Sequence, residues 1–325
     1  METNALTAEG GLDLRLRRVP VTLDVTVLMG GPSSERDVSL LSGTAIASAL
    51  SSLGHRVTTA DISPTDTSAL DREGMEVAFI ALHGEFGESG QVQRLCEQRC
   101  VRYTGSSPKA SELAMDKPVA KELFAGAGLK VPKGLEFSSG DSPGEIAKAL
   151  DRLGLPVVLK PIRSGSSIDI TIARDTATRD RAAESLLDKY GKAMAEEFIP
   201  GREFTVGILG QRALPVLEVV PAREFYDYTA KYAADSGTRY VFDHGLPARA
   251  AEAIQSAALT AHQVLGCRDM SRVDFILPAD GVPVALEINT IPGFTSHSLL
   301  PMAAAKVGMS FPQLAQRLVM MAMQR

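Results

Sequence analysis

Residues 271–289 read SRVDFILPADGVPVALEIN, and this stretch predicts a β-hairpin. Two runs rich in β-branched and large apolar residues flank a break at residues 278–281. The dipeptide Asp280-Gly281 favours a tight primed turn, because such a turn needs positive φ at its centre. The apolar face of the two strands, which is predicted to enter the core, consists of Val273, Phe275, Ala285 and Ile288.

Four polar residues of this hairpin fall on its other face. A pairing centred on the turn sets Asp274 opposite Glu287 and Arg272 opposite Asn289, and side chains alternate along each strand. Two carboxylates directly across a ladder repel one another. With the neutral oxygen of Asn289 beside them, they favour a hard cation such as Mg²⁺ or Mn²⁺ that also binds phosphate and water. The alternative is a solvated hairpin whose charges happen to alternate.

Length and composition predict a soluble globular protein of two or three domains. The chain has 325 residues, of which 45% are hydrophobic and 22% charged. Its net charge of −5 argues against nucleic-acid binding, because such binding needs a basic face. No apolar run is long enough to span a bilayer and no signal-peptide core is found, so we expect a cytoplasmic protein without a membrane partner.

The cysteines predict no covalent or metal framework. Cys96, Cys100 and Cys267 form no CxxC pair, and only the first two stand at helical i, i+4 spacing. We expect buried thiols of a reducing compartment, with neither disulfides nor a zinc site.

The pattern along the chain divides it into a tail and three α/β units. Residues 1–20 lack periodicity and are expected to form a flexible tail. Residues 21–115 open with a strand, a glycine turn and a helix, and they predict a parallel sheet. Residues 116–199 form the central unit, and residues 200–325 contain the hairpin. The last unit also includes an irregular polar loop over residues 224–247.

Two segments near the middle of the chain are predicted to bind phosphate or a nucleotide. Lys160 ends an apolar strand, so its ammonium is expected at the sheet margin, where it can meet phosphate. Residues 163–167 form a small, hydroxyl-rich loop whose N–H groups can approach phosphate, although a Walker A loop is absent. Residues 196–203 join the second and third units, where a crevice would hold a ligand. The alternatives are a connecting turn and a surface linker.

Glu35 and His83 each follow the end of a predicted strand, at the edge where open α/β sheets bind ligands. Glu35 can receive a substrate ammonium, and the alternative is an acid placed at a helix start by the helix dipole. A lone histidine is more often structural, so His83 gains weight only by sharing this edge. The glycines at 30–31 do not form GxGxxG, which counts against a nicotinamide-dependent dehydrogenase.

Several further motifs stand in a consistent order from about Val25 to the C-terminus. They are GGPSSERDVS at 30–39, HG at 83–84 with GE at 87–88, YTGS at 103–106, MDK at 115–117, GSS at 165–167, FYDY at 225–228 with KY at 231–232, and EINTIPGFTSHS at 287–298. In this order they resemble the D-alanine–D-alanine ligase family, which are ATP-grasp enzymes of peptidoglycan precursor synthesis. The resemblance leaves only the N-terminal tail uncovered.

The resemblance implies an architecture and a set of ligands. The expected fold is a three-domain α/β ATP-grasp fold with an N-terminal parallel-sheet (pre-ATP-grasp) domain. ATP would be a co-substrate held between the last two domains, with two Mg²⁺ or Mn²⁺ ions as cofactors. The resemblance also implies a cytoplasmic homodimer that serves cell wall biogenesis and cell shape.

The resemblance also assigns roles to individual residues. ATP contacts are implied at Lys117, Lys160, Ser166, Ser167, Glu196, Glu197, Phe198, Ile199, Glu203 and Lys231. Metal ligands are implied at Asp274, Glu287 and Asn289. Residues implied to bind the two D-alanines are Glu35, His83, Ser298 and Leu299. Residues implied to act in catalysis are Glu35, Ser166, Tyr232, Arg272 and Gly293.

The implied reaction has two steps. The γ-phosphoryl group passes to the carboxylate of the first D-alanine and gives an acyl phosphate, while Lys160 offsets charge on the transferring group. The amine of the second D-alanine then attacks the carbonyl, and Arg272 with the Gly293 N–H stabilises the oxyanion. The loop at residues 224–247 is expected to cover the site and exclude water.

The chain departs from the family pattern at one position of the phosphate loop. Asp169 stands where the family has a glycine, and its carboxylate would weaken ATP binding unless it points away or meets a cation. Asp tolerates the left-handed backbone, so the fold can survive. Tyr232 after Lys231 resembles the dipeptide-forming type. The alternatives are a D-alanine–D-lactate or D-alanine–D-serine ligase, or a nucleotide-binding homologue with impaired turnover.

Overall fold

Three β-sheets and their helices make up the part of the chain that the structure describes. The computed structural model describes residues 22–165, 168–222 and 237–325. The sheets contain three, four and six strands, and each draws its strands from one continuous stretch of sequence. None of the helices in these ranges combines the length and the apolar character needed to cross a bilayer.

The first sheet is parallel, as predicted. Its strands, in the order β2-β1-β3, are β1 (Asp24–Met29), β2 (Arg56–Asp61) and β3 (Val77–Ile80). The strand predicted at residues 101–103 is reduced to a single bridge between Ala78 and Tyr103. Its helices are α1 (Arg36–Ser52), α2 (Gly84–Glu88), α3 (Gln91–Gln98) and α4 (Pro108–Met115). Because the strands are parallel, the segments that follow β1 and β3 emerge at the same edge.

The second sheet is antiparallel and lies in the middle of the chain. Its strands, in the order β4-β7-β5-β6, are β4 (Gly134–Ser138), β5 (Val157–Pro161), β6 (Thr171–Ala173) and β7 (Lys192–Glu197). Its helices are α5 (Lys117–Gly126), α6 (Pro143–Asp151) and α7 (Thr176–Tyr190). Strand β4 was not predicted, because it is short and only Phe137 in it is fully buried.

The third sheet is antiparallel and contains the hairpin. Its main path is β11-β10-β8-β12-β13, and β9 pairs with β8. The strands are β8 (Arg202–Leu209), β9 (Arg212–Ala213), β10 (Leu217–Val220), β11 (Arg239–Val241), β12 (Met270–Leu277) and β13 (Val284–Asn289). Helices α8 (Ala248–Val264), α9 (Leu299–Lys306) and α10 (Phe311–Met323) complete the chain. The predicted irregular loop at residues 224–247 therefore contains the short strand β11.

The register of the hairpin is the predicted one at its polar end. Strands β12 and β13 pair Asp274 with Glu287 and Arg272 with Asn289. The predicted apolar face is buried at all four positions, namely Val273, Phe275, Ala285 and Ile288. A register shift after Asp274 separates the polar pairs from the turn.

The turn of the hairpin differs from the predicted primed turn. Gly281 has φ 75°, but Asp280 does not have positive φ. The Gly281 N–H donates to the Pro278 carbonyl at 3.0 Å, and the Val282 N–H donates to the Asp280 carboxylate at 3.0 Å. The loop is therefore longer than a two-residue turn, and the register shift compensates for it.

The last two helices pack on the core of the first sheet. Leu314 and Leu318 of α10 belong to the same buried cluster as Ile46 of α1. Phe294 sits edge-on to Phe79 of β3, with ring centroids 5.5 Å apart. This packing places the segment between β13 and α9 against α1 and β3.

The cysteine prediction is correct at two of three positions. All three cysteines are free, and burial raises the pKa of the Cys96 and Cys267 thiols to about 12. Cys100 was predicted to be buried, but it is exposed. It lies beyond the end of α3 with φ 54°, outside the helical face that buries Cys96.

Candidate active site

Two cavities meet at the polar face of the hairpin. The first has a volume of about 440 Å³ and lies between the first sheet and β13, and the second has about 350 Å³ and lies between the second and third sheets. Glu287 lines both cavities. Every predicted site residue within the described ranges lines at least one of them. The first is lined by Glu35, His83, Lys117, Arg272, Asn289, Gly293, Ser298 and Leu299, and the second by Lys160, Glu196, Glu197, Phe198, Ile199, Glu203 and Asp274.

The second cavity has apolar walls with polar groups at its ends. Val158 and Ile172 from one sheet face Val219 and Ile276 from the other. This spacing between two sheets suits a flat aromatic ring with hydrogen-bonding edges. Glu203 of β8 also lines this cavity, and its carboxylate can accept hydrogen bonds from hydroxyl groups.

A buried ionic cluster stands at the inner end of the second cavity. Glu196 forms ion pairs with Lys121 and with Lys160, and the Lys160 Nζ lies 2.7 Å from its carboxylate. Burial alone would lower the pKa of Lys160, but the attraction of Glu196 and Glu287 outweighs it and raises that pKa. Burial and the neighbouring Lys160 lower the pKa of Lys121 to about 7. Lys160 is therefore the ammonium that stays charged.

Lys160 lies at the end of its strand, as the sequence predicted, but its side chain is buried. It is next to the last residue of β5 and beyond the pairing with β6, which ends at Leu159. The residue is only 6% exposed, and its ammonium is held against Glu196. Lys121 was not predicted as a partner, because only the tertiary fold brings α5 beside β7.

Lys117 carries a second buried cation to the junction of the cavities. Its ammonium donates to the Ser164 carbonyl and lies 3.8 Å from Glu287. Burial lowers the pKa of Lys117, and the Glu287 carboxylate opposes that shift. The residue opens α5 next to Asp116, whose side chain caps the helix. Lys160 therefore places positive charge near the polar face of the hairpin, and Lys117 adds a buried amine beside Glu287.

The polar face of the hairpin presents hard oxygen donors. The Asp274 carboxylate accepts two hydrogen bonds from Arg272, at 2.9 and 2.8 Å, and one from the Thr205 hydroxyl at 2.6 Å. The Asn289 side-chain oxygen accepts from the Ile291 N–H at 2.9 Å. These contacts fix the orientation of two of the three donors before any ligand binds.

The donors fit a divalent cation that keeps several ligands from outside the protein. Within residues 22–165, 168–222 and 237–325, no cluster of three or more His, Cys, Asp or Glu is placed to hold a metal by itself. Asp274, Glu287 and Asn289 supply oxygen only, which suits Mg²⁺ or Mn²⁺ completed by phosphate and water. Arg272 and Lys117 already lie beside the two carboxylates, so a bound cation must share them.

Glu35 is buried in the first cavity and does not cap its helix. It is the residue before α1, yet its side chain makes no capping hydrogen bond to the first turn. A Cβ added at Gly165 would lie 3.1 Å from the Glu35 carboxylate and 3.8 Å from that of Glu88. Glycine at this position therefore lets the backbone approach both acids. Glu35 also stands at the N-terminus of α1, so the helix-start alternative stays open beside the substrate interpretation.

Glu88 is a site residue to which the sequence assigned no role. It lines the first cavity, is 7% exposed, and accepts a hydrogen bond from the Gly84 N–H at 2.6 Å. Burial and the nearby Glu35 raise its pKa to about 8. One signal for this contact was present in the sequence. Glu88 follows Gly84 by four residues, a spacing that brings the two residues together on one face of the short helix α2.

His83 is neutral in this environment. Burial lowers its pKa, and the charge of Glu35 only partly opposes that shift. Among the described residues, its buried Nε2 has no hydrogen-bond partner. A neutral ring beside Glu35 can accept or donate a hydrogen bond without adding charge to the cavity.

The N-terminus of α9 lines the first cavity, where a helix start can attract an anion. Ser298 precedes α9, and Leu299 begins it, so the helix N–H groups face the cavity. The Ser298 hydroxyl accepts from the Thr295 N–H at 3.0 Å. A Cβ added at Gly293 would lie 3.1 Å from the Ser298 hydroxyl, so the backbone passes close there.

Four predicted site residues lie outside the described residues. They are Ser166, Ser167, Lys231 and Tyr232. Part of the predicted cover loop lies outside them as well, and its described part contains Tyr240, which lines the first cavity. The roles assigned to these four residues stay predictions.

The Glu88→Gln variant is expected to change how stability depends on pH. Between pH 4.5 and about 8 the folded state holds a proton on Glu88 that the unfolded chain has released, so wild-type stability falls as pH rises through this window. Glutamine cannot ionise, and the variant should lose that part of the slope. Urea unfolding at several pH values measures the difference. Parallel wild-type and variant curves would contradict the prediction.

A cleft between two antiparallel sheets, with buried lysines and hard oxygen donors at its inner end, defines an ATP-dependent ligase of the ATP-grasp class. Residues 123–320 match the family described as D-ala D-ala ligase C-terminus. The chain is 42% identical over 295 residues to the D-alanine–D-alanine ligase of Anaeromyxobacter dehalogenans, covering 91% of this chain and 95% of that one. The protein belongs to the D-alanine–D-alanine ligase family.

Solved structures agree with this assignment. The D-alanine–D-alanine ligase from Bacillus anthracis complexed with ATP superposes with a TM-score of 0.81 at 30% identity, covering 94% of this chain and 98% of that one. The VanG D-Ala:D-Ser ligase from Enterococcus faecalis also gives a TM-score of 0.81, at 28% identity, covering 93% of this chain and all of that one. The three-domain α/β ATP-grasp fold expected from the sequence is confirmed.

Proposed function

We propose that the protein joins two D-alanine molecules into D-alanyl-D-alanine at the expense of ATP, for peptidoglycan precursor synthesis. The observation that carries this proposal is the junction of two cavities at Glu287, with cationic and oxygen-donor side chains on either side. A nucleotide in one cavity and two small amino acids in the other would meet there. Family membership supports the same reaction.

In this proposal ATP occupies the second cavity. The adenine lies between the apolar walls near Phe198 and Ile199, and Glu203 receives the ribose hydroxyls. The phosphates extend toward Lys160 and Lys117 at the junction. The chain would then consist of a tail over residues 1–20 and three domains over residues 21–115, 116–199 and 200–325. ATP would lie between the second and the third domain.

The same proposal gives Asp274, Glu287 and Asn289 to two Mg²⁺ or Mn²⁺ ions. Bound there, the ions would supply positive charge to the phosphoryl group in transfer. The protein's own part is to hold three oxygen donors on one side of the hairpin, with Arg272 and Thr205 fixing the Asp274 carboxylate.

The first cavity would hold both D-alanines. Glu35 binds the ammonium of the first D-alanine. The carboxylate of this D-alanine attacks the γ-phosphorus of ATP, which gives an acyl phosphate and releases ADP. Ser298 and the N–H of Leu299 bind the carboxylate of the second. Its ammonium first gives a proton to solvent, and the resulting amine attacks the acyl phosphate carbonyl. Arg272 and the Gly293 N–H stabilise the tetrahedral oxyanion, which then collapses to the amide as the C–O bond to phosphate breaks and the remaining amine proton leaves with inorganic phosphate.

A coupled assay of ADP release tests the proposal. ADP release that depends on D-alanine, with D-alanyl-D-alanine as the product, is expected. The likeness to a D-Ala:D-Ser ligase keeps that specificity as a second candidate, so the assay is repeated with D-serine and with D-lactate as the second substrate. Tight ATP binding without any turnover would reject ligase activity.

We also propose that the protein is a cytoplasmic homodimer. Light scattering measures the mass of the particle in solution and tests the dimer.

Removal of divalent cations is expected to abolish ADP release. The proposed metal site offers too few protein ligands to hold an ion against a chelator in excess. ADP release is measured with EDTA and again after excess MgCl₂ or MnCl₂ is added. Turnover that persists in EDTA would contradict the role given to the hairpin.

A further inference from the structure

A carboxylate stands next to a residue that lines the second cavity. Ile170 lines this cavity, and Asp169 directly precedes it in the chain but lines neither cavity. Lys117, to which the proposed function gives an ATP phosphate, donates to the carbonyl of nearby Ser164. If ATP occupies the second cavity, we expect its triphosphate to approach Asp169. An unbalanced carboxylate there would repel the nucleotide.

The Asp169 carboxylate is held against the end of α7. Its Oδ2 atom accepts hydrogen bonds from the Lys189 ammonium and the Tyr190 hydroxyl. The Lys189 Nζ also lies 5.2 Å from the centre of the Tyr190 ring. The backbone at Asp169 has φ 55°, a conformation that Asp tolerates better than most residues.

Both members of the pair are charged at neutral pH. The hydrogen bonds from Lys189 and then Tyr190 lower the pKa of Asp169. The hydrogen bond to Asp169 raises the pKa of Lys189. The acid therefore keeps its negative charge, and the neighbouring ammonium balances it.

We propose that Lys189 is a positioning residue for the ATP site. Its ammonium neutralises Asp169 and draws the Asp169 carboxylate away from the triphosphate. This inference rests on the proposed ATP site. It explains how the chain can carry an acid beside the second cavity and bind a polyanion there. Tyr190 supports the same contact without adding charge.

The Asp169–Lys189 pair is expected to contribute little to the stability of the fold. The Lys189 side chain is 57% exposed and that of Asp169 is 35% exposed. Ion pairs at such exposure contribute little to stability. Variants at position 189 should therefore fold, and their effect on ATP should be separable from any structural defect.

The test measures ATP binding by calorimetry in the presence of Mg²⁺ and without D-alanine. Lys189→Met is expected to raise the dissociation constant for ATP by about three- to tenfold, because the Asp169 charge is no longer balanced. The increase should be larger at low ionic strength, where charges are less screened. Lys189→Arg keeps the charge and should bind ATP like the wild type.

Two further variants show whether Lys189 acts by balancing the Asp169 charge or only by packing of its side chain. In the double variant Asp169→Gly with Lys189→Met, the repelling charge is gone and glycine suits the backbone, so ATP affinity should return to the wild-type value. Lys192→Met is the matched control, since this exposed lysine begins β7 at the end opposite Glu197. It should leave ATP affinity unchanged.

Three outcomes separate the hypotheses. Unchanged ATP affinity in folded Lys189→Met would overturn the inference while leaving the ATP site intact. An equal loss in the single and double variants would also overturn it, because support by the side chain would then explain the effect. A wild-type protein that binds no ATP would overturn both the inference and the proposed function.

Discussion

Replacement of Glu287 by glutamine is expected to lower kcat for dipeptide formation by about 10³-fold, as for loss of a group that stabilises charge in the transition state. Glu287 lines both cavities, faces Asp274 across the ladder and lies 3.8 Å from Lys117. The amide keeps the size of the side chain but removes one of two anionic donors. It also leaves Lys117 without that carboxylate.

Initial rates of ADP release at saturating ATP and D-alanine measure this effect. Glu122→Gln makes the same chemical change on the exposed side of α5 and should leave kcat unchanged. Binding of Mn²⁺, followed by electron paramagnetic resonance, should weaken in Glu287→Gln, which gives a readout independent of turnover. A kcat near the wild-type value would remove Glu287 from the catalytic site.

Glu196→Gln should have the largest effect on stability, a loss of about 3 kcal/mol or more, as is usual when one partner of a buried ion pair is removed. Glu196 is 2% exposed and is the common partner of Lys121 and Lys160. Burial alone would raise its pKa, but Lys160 and Lys121 outweigh burial and lower it. The glutamine variant would leave the buried Lys160 ammonium facing a neutral amide, and it would remove the attraction that opposes burial at Lys121.

Urea unfolding at pH 7 measures this loss. Lys121→Met is the comparison, because it keeps the contact of 2.7 Å between Lys160 and Glu196. It removes the lysine whose pKa is lowered by burial to about 7 and which is therefore the more readily neutral of the two. Its loss of stability should be clearly smaller. Equal losses in the two variants would show that Glu196 does not hold the cluster together.

The parts of the fold that the sequence predicts well are those set by alternation and by helix signals. The hairpin register follows from period-two patterning, so Asp274 and Glu287 face each other as expected. Strands β4 and β11 escaped prediction because they are short and partly exposed, and their pairing depends on neighbours distant in sequence. The turn at Asp280 also differs, since two-residue geometry was assumed from Asp-Gly alone.

The candidate site shows the same division. Every residue that the resemblance assigned to the site, and that the structure describes, lines one of the two cavities. What it did not give is the environment of each group. The raised pKa of Glu88 depends on burial near Glu35, and the partner of Lys160 depends on how β5 pairs with β7. Such shifts arise from distances in the folded state, which no local pattern contains.

The packing of α9 and α10 on the first sheet bears on how the protein is made. Leu300, Leu314 and Leu318 complete the hydrophobic cluster around β1 and β3. Residues 21–115 leave the ribosomal exit tunnel long before these leucines are synthesised. During synthesis the apolar surface that these leucines cover therefore stays exposed to solvent until the last two helices have been made.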